Sequence, residues 1–477
     1  MFPKNYPTLK ILSASFTLFS LVYLSSCDKP IVDSSDKEII SFILKKADNS
    51  GFNSTDIKVN ISGDTVKITL PSTTNLNGLI PDIVIKGVSI SPATGVAADF
   101  SKPISYTVTA QDGSTKTYMV IVSLTGPTNM VFIGSSDNNF YALDALTGKL
   151  IWKYTGGGWF SYASPAMYNG IVYAGCTDNN IYAFDAMTGN LIWKYTTGGS
   201  IEASLTVVDG VVYVGSDDHN LYALDAASGN LNWKYTTGFN VSSSPAVLNG
   251  VVYFGSSDAN VYALDIQNGN LKWKFSSLEM INQSGATISN GVVFIGSRDG
   301  NLYAIDAATG NLKWKYYTDG ISLEQSSPTV SNGIVYIGGW YNVPSFSKKG
   351  SLYAIDENTG TLTWQSLDSL GFSSSPYIFN NILYISADDG NFYAINAATG
   401  SNIWSKQILP NSAGATVAND IVYIGGGGTH FIYAYNVASG NEVWRFAVGP
   451  NGLNTSSPCV VGANGTVFNP GDSGQEF

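Results

Sequence analysis

Histidine is nearly absent, with only His219 and His430 in 477 residues, and the three cysteines Cys27, Cys176 and Cys459 stand far apart. So sparse a supply of imidazole and thiol leaves little material for zinc sites or nucleophile–base pairs. Charge is also scarce at 12% of residues, and acids outnumber bases 35 to 24 for a net charge of −11. No run of Lys or Arg offers a basic stripe, so nucleic acid is excluded as a partner. The apolar stretch from Ile11 to Leu24 is too short for a comfortable transmembrane helix.

What is abundant points to strands and tight turns. Hydrophobic residues make up 44% of the chain, with 50 Gly, 28 Tyr, 22 Phe and 10 Trp, a mixture that reads as all-β with ample material for packed cores. The N-terminus has Lys4 and Lys10 ahead of the short apolar stretch, which is the pattern of an export signal. That stretch ends in Leu24-Ser25-Ser26-Cys27, which resembles the lipobox of bacterial lipoproteins. The resemblance implies a signal peptide over 1–27, lipid attachment at Cys27 and a place in the bacterial cell envelope, at the outer membrane, facing the periplasm or the surface. Stable anchoring needs more than one acyl chain.

A polar tether over 28–37 precedes a segment, 38–125, of period-two alternation: Ile57 to Ile61, Val66 to Leu70 and Asp82 to Ile85. Its clearest hairpin joins Ser105–Thr109 to Tyr118–Val122 through Asp112-Gly113, a dipeptide suited to the positive φ angles of a tight turn. A small β-sandwich is expected. The ending "YTVTAQDGSTKTYMVIV" resembles the immunoglobulin-like modules that follow the lipid anchor in Gram-negative envelope lipoproteins, which implies a spacer role.

From 129 to 477 the chain is periodic. The unit "VVYVGSDDHNLYALDAASGNLNWKYTTGFNVSSSPAVLNG" spans Val211 to Gly250, and its tryptophan recurs as Trp152, Trp193, Trp233, Trp273, Trp314, Trp364, Trp404 and Trp444. The intervals are 41, 40, 40, 41, 50, 40 and 40 residues. Each unit divides into four short strands, with Asx-Gly turns such as Asn169-Gly170 and Asn464-Gly465 after the inner strand. Four strands at this period predict an eight-bladed β-propeller. The tryptophans are expected to form the seam between blades, packed over the Ala of each Tyr-Ala pair, with each indole N–H on a backbone acceptor. The last inner strand, near Ser456 to Val461, is expected to complete the first blade. Thr466-Val467-Phe468 then looks like one strand too many, in competition with Met130–Gly134.

The motif Tyr-Ala-Leu-Asp-Ala-x-Thr/Ser-Gly-x-x-x-Trp resembles the repeat of the quinoprotein-type propellers. That family holds dehydrogenases dependent on pyrroloquinoline quinone (PQQ) and also a cofactor-free lipoprotein of the machinery that assembles outer-membrane β-barrels. The dehydrogenases use adjacent cysteines, calcium held by Asp, Glu and Asn, and cationic contacts to the quinone; no two cysteines here are adjacent. The two histidines fall in equivalent turns of the third and eighth repeats, too far apart to share a metal. Asp137, Asp178, Asp218, Asp258, Asp299 and Asp389 also occupy one repeated turn position, which suits a structural role.

The leading expectation is therefore a lipid-anchored, non-catalytic binding scaffold without a cofactor, and the alternative is a dehydrogenase using PQQ with calcium. Function on a rigid scaffold sits on the loops that vary. Trp159, Phe160, Phe239, Glu279, Glu324, Trp340 and Tyr341 are the candidate ligand-binding residues, gathered at one mouth of the central channel. The expected partners are the membrane and an envelope protein or glycan.

Overall fold

The computed structural model of the protein describes residues 34–45, 47–49, 57–59, 61–71, 76–125, 127–340, 350–366, 371–409, 413–449, 456–462 and 466–468. Cys27, Tyr341 and the turn Asn464-Gly465 lie outside the described residues. The chain forms two compact units, the first ending at Val122 and the second running from Ser123.

In the first unit the period-two segments become strands. Glu38–Leu44 lies between Ile57–Lys58 and Pro81–Lys86 in one sheet, and Thr65–Pro71, Thr115–Thr125 and Ile104–Thr109 are neighbours in a five-stranded second sheet. Thr115 pairs with Thr109 across the Asp112-Gly113 turn, where Gly113 has φ +81°. Phe42 of the first sheet meets Tyr106 of the second edge-on at 6.0 Å, and both rings are fully buried. The unit is an immunoglobulin-like β-sandwich.

In the second unit seven sheets of four strands follow one another in sequence, each running from inner to outer strand. The third blade is representative: Thr206–Val208, Val211–Gly215, Asn220–Asp225 and Leu231–Thr236. Its first two strands join through Asp209 and Gly210, both at positive φ, which is the mirror-image turn that matches strand twist. Successive inner strands neighbour one another in chain order. Together with the closing blade they form an eight-bladed propeller.

The eighth sheet closes the ring. Met130–Gly134, Asn139–Asp144 and Leu150–Thr155 are joined on the inner side by Cys459–Val461, with Phe132 opposite Cys459 and Met130 opposite Val461. Val467–Phe468 does not compete for that place. It pairs with the other edge of Cys459–Val461, Val460 opposite Phe468, and adds a fifth strand on the inner side.

Each seam is built from a repeated pair. The indole N–H of Trp193 donates to the carbonyl of Ala226 in the next blade at 3.0 Å. The other seven tryptophans do the same, and the last, Trp444, donates to Ala145 of the first blade at 2.8 Å. The surface the ring meets differs from the expected one. Ala183 is only the cross-strand partner of Trp193 within its own blade. The next blade contributes the glycine of its Asp-x-x-Ser/Thr-Gly turn: a Cβ on Gly229 would lie 2.6 Å from the Trp193 ring. Glycine is required there twice over, because its φ is +73°.

Candidate functional site

The repeated polar groups are used up inside the ring. Asp218 Oδ2 accepts the Tyr222 hydroxyl at 2.6 Å and the Gly198 N–H of the incoming connection at 2.7 Å, while Oδ1 accepts the Asn220 N–H at 3.1 Å. The same Tyr-to-Asp bond recurs at 2.6 Å for Asp137, Asp178, Asp258, Asp299 and Asp389. Burial by itself would push these carboxyls up, but the hydrogen bonds outweigh it and hold Asp137, Asp178 and Asp218 below the usual carboxylate range. These aspartates staple each turn to the connection that enters its blade. His219 and His430 occupy left-handed positions in equivalent turns, φ +72° and +61°.

Residues that vary between blades collect at one mouth. The connection into each blade hydrogen-bonds to that blade's second-to-third turn: Thr177 N to Trp159 O, Asp217 N to Ser200 O, Ser257 N to Asn240 O, Arg298 N to Met280 O, Trp340 N to Ser322 O and Asp388 N to Gly371 O, all at 2.9–3.1 Å. Two rows of non-repeated side chains are thereby laid side by side around the channel. Trp159 is 47% exposed and tilted against Tyr162 at 6.2 Å, and Phe239, 52% exposed, stacks on His219 at 5.3 Å. Glu279 is exposed on the same rim and faces Arg298 at 3.8 Å.

Two of the expected residues sit differently. Phe160 is no rim aromatic: it is 1% exposed and packs in the apolar cluster between the first two blades, against Phe140 and Tyr182. It fills the position that Ile201, Val241, Ile281 and Leu323 fill elsewhere, where the backbone N–H returns to the preceding turn. Glu324 is at the mouth but buried, 5% exposed, and its Oε2 has no hydrogen-bond partner; the Trp340 Nε1 atom is likewise buried without one.

Sequence reasoning passed over Glu202, Asp217, Arg298 and Asp388. Asp217 is the chain neighbour of the stapled Asp218, yet its carboxyl is raised rather than lowered. Burial is the main cause, and a bond from the Ser242 hydroxyl at 3.1 Å offsets it only in part. Burial likewise raises Glu202, with the Asp217 charge adding to the shift, and it raises Asp388, which accepts the Ser373 hydroxyl at 2.6 Å. In Glu324 burial raises the carboxyl, Arg298 opposes and Glu279 adds. Opposite shifts in neighbouring acids separate groups built into the scaffold from groups left for another task.

Cys176 and Cys459 are free thiols buried in one apolar cluster, and burial pushes Cys176 up to about 12. Among the described residues no three His, Cys, Asp or Glu side chains are grouped to hold a metal ion. These residues do not fit a quinone held over calcium and adjacent cysteines.

The sequence matches the family of the outer membrane protein assembly factor BamB over residues 120–205, 177–343, 276–370 and 348–475. Residues 39–122 match the family described as SGBP, N-terminal. No curated protein matches the chain. The crystal structure of BamB from Moraxella catarrhalis is similar with a TM-score of 0.53 at 19% identity, covering 63% of this chain and 92% of that one. The computationally designed Ika8 protein is similar with 0.53 at 18%, covering 65% and 96%. Quinohemoprotein alcohol dehydrogenase from Comamonas testosteroni gives 0.53 at 16%, covering 65% and 70%. At these identities the likeness is one of fold.

Proposed function

This chain belongs to the family of the outer membrane protein assembly factor BamB, and from that premise we propose that it is a non-catalytic binding scaffold of the cell envelope. It is anchored by lipid at Cys27 at the outer membrane and recognises a protein or glycan through the mouth of its propeller. One observation carries this reading: the polar groups that repeat are consumed in holding the ring together, while those that differ from blade to blade converge on a single rim. A rigid frame presenting variable loops suits recognition. Exposed aromatics beside carboxylates supply contact area and direction.

The test is capture from solubilised membranes by the immobilised protein. Replacing Trp159 and Trp340 together by Ala is expected to abolish retention of the partner retained by the native protein; undiminished retention would remove the mouth from consideration. The anchor is tested separately. Cys27→Ser is expected to move the protein from the detergent phase to the aqueous phase on phase separation, since the acyl chains contribute about 0.8 kcal/mol per buried methylene. No helix among the described residues is long and apolar enough to cross a membrane, so in this reading the lipid supplies the attachment.

A further inference from the structure

The mouth is unevenly charged. Setting aside the stapled aspartates, the described connections and turns on this face carry Glu202, Asp217, Glu279, Asp319, Glu324 and Asp388, and their charged basic residue is Arg298. Such an imbalance is ordinary on a solvated surface, but these acids are not all solvated. Glu202, Asp217 and Asp388 are partly buried, and Glu324 is nine-tenths buried and more.

Glu324 is the singular group. It sits on the connection between the fifth and sixth blades, where its carbonyl accepts the Ser284 N–H of the fifth blade at 2.6 Å. The charges that act on its side chain are those of Arg298 and Glu279. Arg298 is already shared: it faces Glu279 at 3.8 Å, and its Nη1 lies 3.6 Å from the Met280 sulfur. Glu324 Oε2 is left buried with nothing donating to it. A buried carboxylate oxygen without a donor costs about 1–3 kcal/mol or more. The ring offers no internal reason for that cost, since the equivalent position in the connection before it holds Asn282 and in the one before that Ser242, both neutral.

We infer that the mouth takes a basic segment of a polypeptide partner, with a lysine or arginine head group on Glu324 and neighbouring cationic side chains along Asp217, Glu202 and Asp388. A cationic donor satisfies Oε2 and balances the charge that Arg298 leaves over. The exposed faces of Trp159 and Phe239 then lie where guanidinium or ammonium groups gain from an aromatic ring. A neutral glycan would meet the donor requirement but leave the excess negative charge of the rim unbalanced. The inference rests on the scaffold reading and narrows its partner.

The test uses the full chain in detergent micelles and a fluorescein-labelled octalysine peptide followed by anisotropy, with labelled octaglutamate and a neutral cello-oligosaccharide as comparisons. Octalysine is expected to bind saturably, to weaken steeply with added salt, and to lose about tenfold or more in affinity in Glu324→Gln. The variant should stay folded. Its amide removes a desolvated charge, so its melting temperature at neutral pH is expected to equal or exceed that of the native protein.

The pH dependence has a fixed sign. A carboxyl whose folded-state pKa is raised destabilises the fold fully above that pKa, and the cost fades as pH falls through it. The native protein should therefore gain stability on mild acidification while octalysine affinity falls, and Glu324→Gln should show less of both. Octalysine binding that is absent, matched by octaglutamate, or unchanged in Glu324→Gln overturns the inference, as does preference for the neutral oligosaccharide. If capture from membranes still depends on Trp159 and Trp340 in that event, the scaffold reading survives without its basic partner; if capture is insensitive too, both fail.

Discussion

Replacing Trp193 by Ala is expected to lower the unfolding free energy of the propeller by about 3–5 kcal/mol. The indole is buried, its N–H reaches the Ala226 carbonyl at 3.0 Å, and its ring covers Gly229 of the following blade. Removing it opens a cavity at the seam and leaves a buried carbonyl short of a donor. Gly229→Ala attacks the same contact from the other side. Its Cβ would meet the ring at 2.6 Å and its φ of +73° would be strained, together costing about 1–2 kcal/mol for the backbone and about 1–3 kcal/mol for overpacking. In the double variant the overpacking vanishes with the indole, so the combined loss should fall short of the sum by about 1–3 kcal/mol. Urea unfolding of the four proteins reads this directly. Additivity within about 0.5 kcal/mol would mean that the ring and the glycine do not press on one another as the seam requires.

That glycine shows where sequence reasoning stops. The interval between tryptophans gives the number of blades, and the Asx-Gly turns and Tyr-Ala pairs give the strands, because both report local backbone demands that repeat eight times. The partner of each indole is set by the rotation from blade to blade, which no spacing within a repeat encodes. Ala183, cross-strand from Trp193, is as small as the true neighbour Gly229 is bare.

Phe160 was misplaced for a related reason. As an aromatic in a variable loop it reads as rim, yet its N–H returns to the preceding turn as those of Ile201, Val241 and Leu323 do, and this places its side chain inside. The acids were missed for the opposite reason. Asp217 and Asp388 stand directly before repeated aspartates and read as part of a turn. The sequence did hold a usable signal: the residue before the stapled Asp runs Ser136, Thr177, Asp217, Ser257, Arg298 and Asp388, a row with no common chemistry beside one that never changes. Glu324 was found, but its burial was not, since only the packed neighbours reveal that its carboxylate is enclosed.

Ring closure makes the second large effect. Ending the chain after Gly449 removes the inner strand of the first blade, and the loss is expected to be of the order of a whole domain's stability, about 5–15 kcal/mol. Cys459, Val460 and Val461 are fully buried opposite Met130, Val131 and Phe132. The segment also ties three blades together: Ser456 Oγ accepts the Gly134 N–H at 3.3 Å, the Ser457 N–H reaches Ser164 Oγ of the second blade at 3.0 Å, and Thr416 Oγ1 of the eighth donates to the Pro458 carbonyl at 2.6 Å. Without it the first blade loses its inner edge, and a ring whose seams depend on their neighbours is left open. Ending the chain after Gly462 removes only the fifth strand, whose Val467 and Phe468 are half-buried, so the loss should be about 1–3 kcal/mol with the cooperative transition retained. Near-UV circular dichroism and thermal melting distinguish the two. A synthetic peptide of residues 456–468 added to the shorter protein should restore the native spectrum, because the pairing it supplies is noncovalent. If the protein ending at Gly449 melts as the native one does, the closing strand is not what holds the ring.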